Sequence, residues 1–460
     1  MLPFYDKIIR KSQGGFFRRP RRAVSAAKSY RRRNLFSSIK GVHPHGCKER
    51  TRELPIGVFP DPQTVWVSLS QHIGAPARPI VAAGERVLRG QLIAQKAEGL
   101  SANIYSPIAG VVRCVTGHIT QAGKKRDHIV IESDGTDESV ALPPLAERTQ
   151  QSVLARIEEA GIVGMGGAGF PTAAKLNVAG RADVLVVNGA ECEPYITCDH
   201  RIMLEYADDL FEGVRLAMLA CGASRAVIGI EKNKPDAIAH LSALADKTIA
   251  VKGLRTRYPQ GAEKQLILAC TGRTVPEGKL PVDAGVVVVN VHTALAICRA
   301  ARGIPCYERV MTVSGGACAK PGNFWVKNGT LLREIAQACE GDENCARIVS
   351  GGPMTGEAVF SLKVATTKTS SCLLFLNEKE GAKKERTPCI GCGRCVQACP
   401  MGLLPTFIDE ALARKDYAEA KRCGAPACIS CGCCSYVCPA GIDLAQSVKL
   451  AKKIIKERKV

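Results

Sequence analysis

Two cysteine runs of identical stride constrain this chain more than any other feature: Cys389-x2-Cys392-x2-Cys395-x3-Cys399-Pro400 and Cys428-x2-Cys431-x2-Cys434-x3-Cys438-Pro439. Three thiolates on a tight loop suit three corners of a cubane [4Fe–4S] cluster, and the fourth, where the chain turns into a helix, serves the other cluster. The stride therefore predicts crossed ligation. One cluster takes Cys389, Cys392, Cys395 and Cys438; the other takes Cys428, Cys431, Cys434 and Cys399. Zinc sites use separated Cys-x2-Cys pairs or cysteine–histidine mixtures, which this pattern does not offer. A chain built this way moves electrons one at a time.

At 460 residues and 46% apolar content, the chain is long enough for two to four domains and too apolar for disorder. It carries 22 cysteines, of which the two runs use eight; the other fourteen are scattered singly, as small buried hydrophobes are. Cys433 lies inside the second run at the wrong stride for a ligand and reads as a neighbour of the cluster. Iron–sulfur thiolates need a reducing compartment, so the expected location is intracellular. No apolar stretch is long enough to span a bilayer, and no signal-peptide pattern is visible. The net charge of +20 is uneven, with twelve Lys/Arg and one Asp in residues 1–40. Residues 1–33 read as a basic, disordered extension, able to touch anionic headgroups, partly transit-peptide-like, or the product of an overextended start. Nucleic-acid binding has no recognisable module behind it.

Residues 34–148 read as a lipoyl-like barrel-sandwich β domain, because IVAAGERVLRGQLIAQKAEGLSANIYSPIAGVVRCV has its cadence, with a mirrored half ending in SPIAGVV. The tip, near Glu98–Ser101, lacks a carrier lysine, because Lys96 falls before it. Residues 149–305 alternate strand-length apolar runs with helical spacing, which predicts an α/β domain with a mainly parallel sheet. Residues 306–378 return to a small α+β pattern, and 379–460 hold the cluster runs framed by helices. The fold class expected is multidomain α/β.

Within 161–176, GIVGMGGAGFPTAAKL, Gly164, Gly166, Gly167 and Gly169 let backbone approach a ligand closely. A helix beginning after Pro171 would aim N–H groups at an anion, with Lys175 one turn on. A tight turn explains the glycines equally well. The next strand ends in NGAECEPYITCD, where Glu191 and Glu193 can accept hydrogen bonds or can simply form an acidic turn.

GMGGAGFPTAAKL and VVNGAECEP resemble the flavin- and NADH-binding segments of the flavoprotein subunit of respiratory complex I. YPQGAEKQLI and VVVNVHTAL resemble two further segments of that site, in the same order. With a barrel in front and a doubled ferredoxin-type run behind, the layout over about residues 34–450 resembles the C subunit family of the Rnf (Rsx) ion-translocating electron-transport complex. LFSSIKGVHPHGCKERT and VSGGACAKPGNFWVKNG look like that family too. The resemblance implies an SLBB-like domain at 306–378. It also implies FMN held by Gly164, Gly166, Gly167, Gly169 and Lys175, with Asn188 and Glu191 on its polar parts. NADH would lie against Phe170, with Glu193 and Glu263 nearby. Met165 and Ala190 stand where complex I has arginine and aspartate, which removes polar contacts. His292, where complex I has glutamate, reads as a core residue or a support behind the site.

The resemblance implies a peripheral subunit on the cytoplasmic face of the cell membrane. It would oxidise NADH at FMN and pass electrons singly to two [4Fe–4S] clusters and on to an iron–sulfur acceptor subunit. Two alternatives stay open: a soluble NADH-dependent corrin or other acceptor reductase, and a docking subunit with clusters but no flavin. A corrin reductase starts almost directly at the glycine loop, so the barrel argues against it.

Overall fold

Of the four parallel strands at the centre of the chain, three bury both faces, and their side chains alternate between two cores; the edge strand Ile249–Leu254 is largely exposed. Leu185 and Val187 join Ile228, Ile230, Val287 and Val289 on one side; Val184 and Val186 join Val286, Val288, Leu254 and Leu266 on the other. This two-sided burial explains the unbroken apolar runs of the sequence. The strand order is Ile249–Leu254, Arg225–Glu231, Val184–Gly189, Val286–Asn290, all parallel. The computed structural model from which this is read describes residues 40–178, 180–382 and 384–458. The basic extension expected over 1–33 lies outside the described residues. The chain divides into two compact units, residues 43–382 and residues 384–458 with 40–42.

Helices Ala207–Cys221 and Val291–Ala301 cover one face of the parallel sheet. They approach so closely that a Cβ on Gly213 would lie 1.9 Å from the Ala294 carbonyl oxygen. The spacing of IMLEYADDLFEGVRLAMLACG suggests one helix, whereas the chain forms two, Cys198–Glu205 and Ala207–Cys221. Tyr206 breaks them at φ −126° and ψ 37°, with its hydroxyl accepting from Trp325 Nε1 at 2.9 Å.

The barrel sandwich packs two small antiparallel sheets around Val65, Val67, Ile93, Ile104, Val112, Ile129 and Ile131. Lys96 pairs with Glu158 of the helix Gln150–Glu159, so that lysine is held in a structural contact. Within the span 34–148, the first described strand does not belong to the barrel. Ile56–Val58 pairs in parallel with Gly322–Lys327, at the edge of a six-stranded mixed sheet that also holds Glu308–Ser314 and Cys372–Leu376. Buried polar contacts fasten it there: Thr197 Oγ1 donates to Asn323 Oδ1, and Asn323 Nδ2 donates to the Thr51 carbonyl.

In the second unit, the helix Leu444–Arg458 buries Leu444, Val448, Ala451 and Ile455, one face of a helical period. FIDEALARKDYAEAKRC forms two helices, Pro405–Ala413 and Tyr417–Arg422, with Lys415 at φ +59° between them. Among the described residues, no helix is long and apolar enough to cross a membrane.

Candidate cofactor sites

The central strand Val184–Gly189 has the next strands on one side and Val286–Asn290 on the other, so the strand order reverses beside it. Crevices at the carboxyl ends of strands beside such a reversal are where open α/β sheets bind ligands. Asn188 and Asn290 are paired in register at those ends. Asn188 Nδ2 donates to the Gly261 carbonyl at 3.0 Å, and Asn290 Nδ2 donates to Asp199 Oδ2 at 2.6 Å.

The glycine loop arrives at the same place. Val163 bridges Pro171, and Gly164 N donates to the Phe170 carbonyl at 2.9 Å, which closes residues 164–170 into a hairpin. A Cβ on Gly166 would lie 2.8 Å from the Asn290 side chain, whereas one on Gly167 would meet open space. Gly169, at φ +73°, sits against Thr369 and the backbone of Gln71 and His72. Phe170 keeps 38% of its surface exposed. Met165, by contrast, is buried; its N–H donates to Thr293 Oγ1 at 3.0 Å, and its carbonyl accepts from Arg309. A thioether in that core offers a ligand no charge.

The helix expected after Pro171 is present but short, Thr172–Leu176, and the Thr172 N–H is already bonded to the Ile162 carbonyl. Lys175 and Glu263 are brought together as an ion pair at 2.7 Å, both partly exposed.

The two neighbouring glutamates have separate surroundings. Glu191, at φ +41°, accepts from the N–H groups of Asp199 (2.7 Å) and His200 (3.3 Å) at the start of the helix Cys198–Glu205. Lys48 Nζ lies 3.4 Å from its other oxygen and also donates to the Glu191 and Ile196 carbonyls. Glu193 is enclosed by the turn after Arg347–Ser350. Met354 N donates to it at 3.2 Å and Tyr258 OH at 3.4 Å, with Thr355 Oγ1 as a third donor. Burial raises the Glu193 pKa above the ordinary range. Asp199, partly buried beside Glu191, is raised to about 7, chiefly by desolvation and then by the Glu191 charge.

Sequence reasoning did not single out Lys48, Asp199, Asn290, Arg309 or Thr355. Asn290 had a visible signal, since VVN ends two strands; Lys48, 143 residues from Glu191, had none. His292 is a core residue: it is 1% exposed, its Nε2 accepts from Val310 N, and its ring sits edge-on to Trp325 at 5.9 Å.

Chemically, this crevice fits a flavin. It combines a glycine loop open at Gly167, an exposed aromatic ring and amide side chains at two strand ends. Thr172 Oγ1 and Gln260 Nε2, in two of the flavin-like segments, are buried without a protein partner.

In the second unit, Cys399 lines one cavity with Cys428, Cys431 and Cys434, the set that crossing requires. Cys395 and Cys438 are buried together among Ala440, Ile442 and Leu444. Cys434 is pushed up to about 12 by burial and then by the charges of Cys431, Cys399 and Cys428. Crowded thiolates of this kind are favourable only around a cation. Backbone N–H groups point at the sulfurs: Ser430 N at Cys428 (3.3 Å), Leu403 N at Cys399 (3.4 Å) and Gly391 N at Cys389 (3.5 Å). These donor sets fit two cubane clusters.

Three family models match the chain. Residues 36–136 match the RnfC barrel sandwich hybrid domain, 157–299 the Nuo51 FMN-binding domain, and 382–439 a 4Fe-4S dicluster domain. The C subunit of a proton-translocating ferredoxin:NAD(+) oxidoreductase complex from Clostridium ljungdahlii is 44% identical, over 83% of this chain and 85% of that protein. The C subunit of a Na(+)-translocating ferredoxin:NAD(+) oxidoreductase complex from Acetobacterium woodii is 40% identical, over 91% and 97%. A solved NAD+-reducing [NiFe]-hydrogenase in the H2-reduced state aligns with TM-score 0.47 and 19% identity, over 67% of this chain and 61% of that one. Barrel, FMN-binding domain and dicluster domain together define a flavo-iron–sulfur redox protein. The chain belongs to the C subunit family of Rnf-type ion-translocating oxidoreductase complexes.

Proposed function

We propose that this chain is the peripheral C subunit of an Rnf-type membrane complex, where it exchanges electrons between NADH and two [4Fe–4S] clusters. The observation that carries the reading is one chain holding both a glycine loop at a sheet's reversal point and, in the second unit, Cys399 in one cavity with Cys428, Cys431 and Cys434. FMN, when bound, exchanges electrons in pairs with a nicotinamide and singly with clusters, which is why it belongs between them. The residues supply position and water exclusion. Gly164, Gly166, Gly167 and Gly169 admit the isoalloxazine and its chain, and Asn188 and Asn290 present amides to polar edges. Lys175 would hold the phosphate in place of Glu263, which would then be free for NADH. Phe170 would stack on NADH, and Glu193, held by Thr355 and Tyr258, would accept from its hydroxyl or amide groups. Glu191 acts from behind, fixing the loop through Lys48.

The functional boundaries we assign are the barrel to 148, the FMN/NADH domain at 149–305, an SLBB-like domain at 306–378 and the cluster domain from 379. Partner subunits, including an iron–sulfur acceptor, hold the chain at the cytoplasmic face of the membrane. The test is anaerobic reconstitution followed by metal and flavin analysis and EPR with NADH. About eight irons and about one FMN per chain, with both clusters reduced by NADH, are expected. A chain that takes up no FMN, or iron centres that stay oxidised under NADH, refutes the reading.

A further inference from the structure

The two cluster runs align position for position, and one substitution between them changes the ligand chemistry. Where the first run has Arg394, exposed to solvent, the second has Cys433, with no exposed surface. Cys433 opens the short helix Cys433–Tyr436, after Gly432 at φ +78°. Gly393 takes the same conformation in the first run, at φ +69°, so the two backbones enter their helices alike. The difference lies in the side chain. Cys433 lines the same cavity as Cys399, Cys428, Cys431 and Cys434. Five sulfurs thus surround a site that needs four.

We propose that Cys433 is a reserve ligand of the second cluster, able to take the iron corner that Cys431 holds. The inference rests on the crossed ligation proposed above. Cys433 stands two residues from Cys431 and lines the same cavity, so rotation of its side chain can offer its sulfur to the corner that Cys431 vacates. On exchange, one iron–sulfur bond to Cys433 forms where the bond to Cys431 is lost, and the Cys433 thiol proton passes to solvent. No iron changes oxidation state. The first run has no such reserve, because a guanidinium cannot bind iron. The exchange provides a way to keep the second cubane whole if the Cys431 sulfur is oxidised or displaced.

The experiment is a matched pair in the full chain, reconstituted anaerobically: Cys431→Ala and its equivalent in the first run, Cys392→Ala. Iron and acid-labile sulfide are measured, with EPR of the reduced clusters. Cys431→Ala should keep about eight irons with a shifted signal for one cluster, whereas Cys392→Ala should fall to about four. Cys431→Ala combined with Cys433→Ala should fall to about four as well. Cys433→Ala alone should keep both clusters, which shows that the position tolerates alanine. Loss of the second cluster in Cys431→Ala, with or without loss of solubility, overturns the proposal. Retention in the double variant also overturns it. Wild-type protein with fewer than about eight irons would instead count against the cluster reading itself.

Discussion

The cluster unit and the flavin crevice solve the same problem, placing polar atoms around a cofactor, by opposite means. In the cluster unit the proposed ligands come from two short loops, and the stride of the chain sets where each sulfur goes. Gly391 and Ser430 hold equivalent left-handed positions, φ +68° and +56°, so even the backbone turns repeat. In the crevice, the polar atoms come from segments as far apart as Lys48, Gly166, Glu191, Asn290 and Thr355. The first site is local and duplicated, and the second is assembled once from distant parts. A local site should therefore lose its function in discrete steps, and an assembled one should weaken as a unit.

The largest effect should come from Cys399→Ala. Crossed ligation predicts loss of the cluster bound by Cys428, Cys431 and Cys434, leaving about four irons. If the cluster of Cys389, Cys392 and Cys395 is lost instead, the contrast between local and crossed wiring is wrong. Next is Lys48→Met, which leaves the buried Glu191 carboxylate without its cation. Removing one partner of a buried pair costs about 3–5 kcal/mol, read as a lower Tm together with weaker FMN retention. A stability loss with unchanged flavin affinity would separate the loop from the site.

The smallest effect is a pH dependence. Asp199 lies among Glu191, Cys198, Asn290, Arg309 and Lys234, and its folded pKa of about 7 exceeds the ordinary value of 3.8. The folded chain thus holds a proton that the unfolded chain has already lost. The stabilisation from this group is complete below about pH 4 and fades as pH rises through about 7. Between about pH 5.5 and pH 7 the loss should be about 2 kcal/mol, measured by urea unfolding. Asp199→Asn should flatten that slope. An equal slope in the variant would assign it elsewhere.

Much of this architecture is legible in the order of the amino acids. The four parallel strands, the helix start after Pro171 and the buried role of His292 follow from local pattern. So does the barrel, except that Ile56–Val58 joins another sheet, because edge pairing is decided by what lies beside a strand. The two split helices are illegible for a similar reason. Tyr206 leaves helical geometry while bonding Trp325, 119 residues later, and periodicity carries no trace of that partner.

Chain sequence alone determined the stride of the two cysteine runs and the glycine loop, from which the proposed ligand sets follow, since cubane corners and close backbone contact depend on neighbours a few residues away. Tertiary structure decided what each carboxylate does. Glu191 and Glu193 are two residues apart, yet one is tied to Lys48 and a helix start, and the other to Tyr258 and Thr355. The reason is physical: a carboxylate's role depends on which donors and cations surround it once buried, and folding brings those from segments far away in the chain.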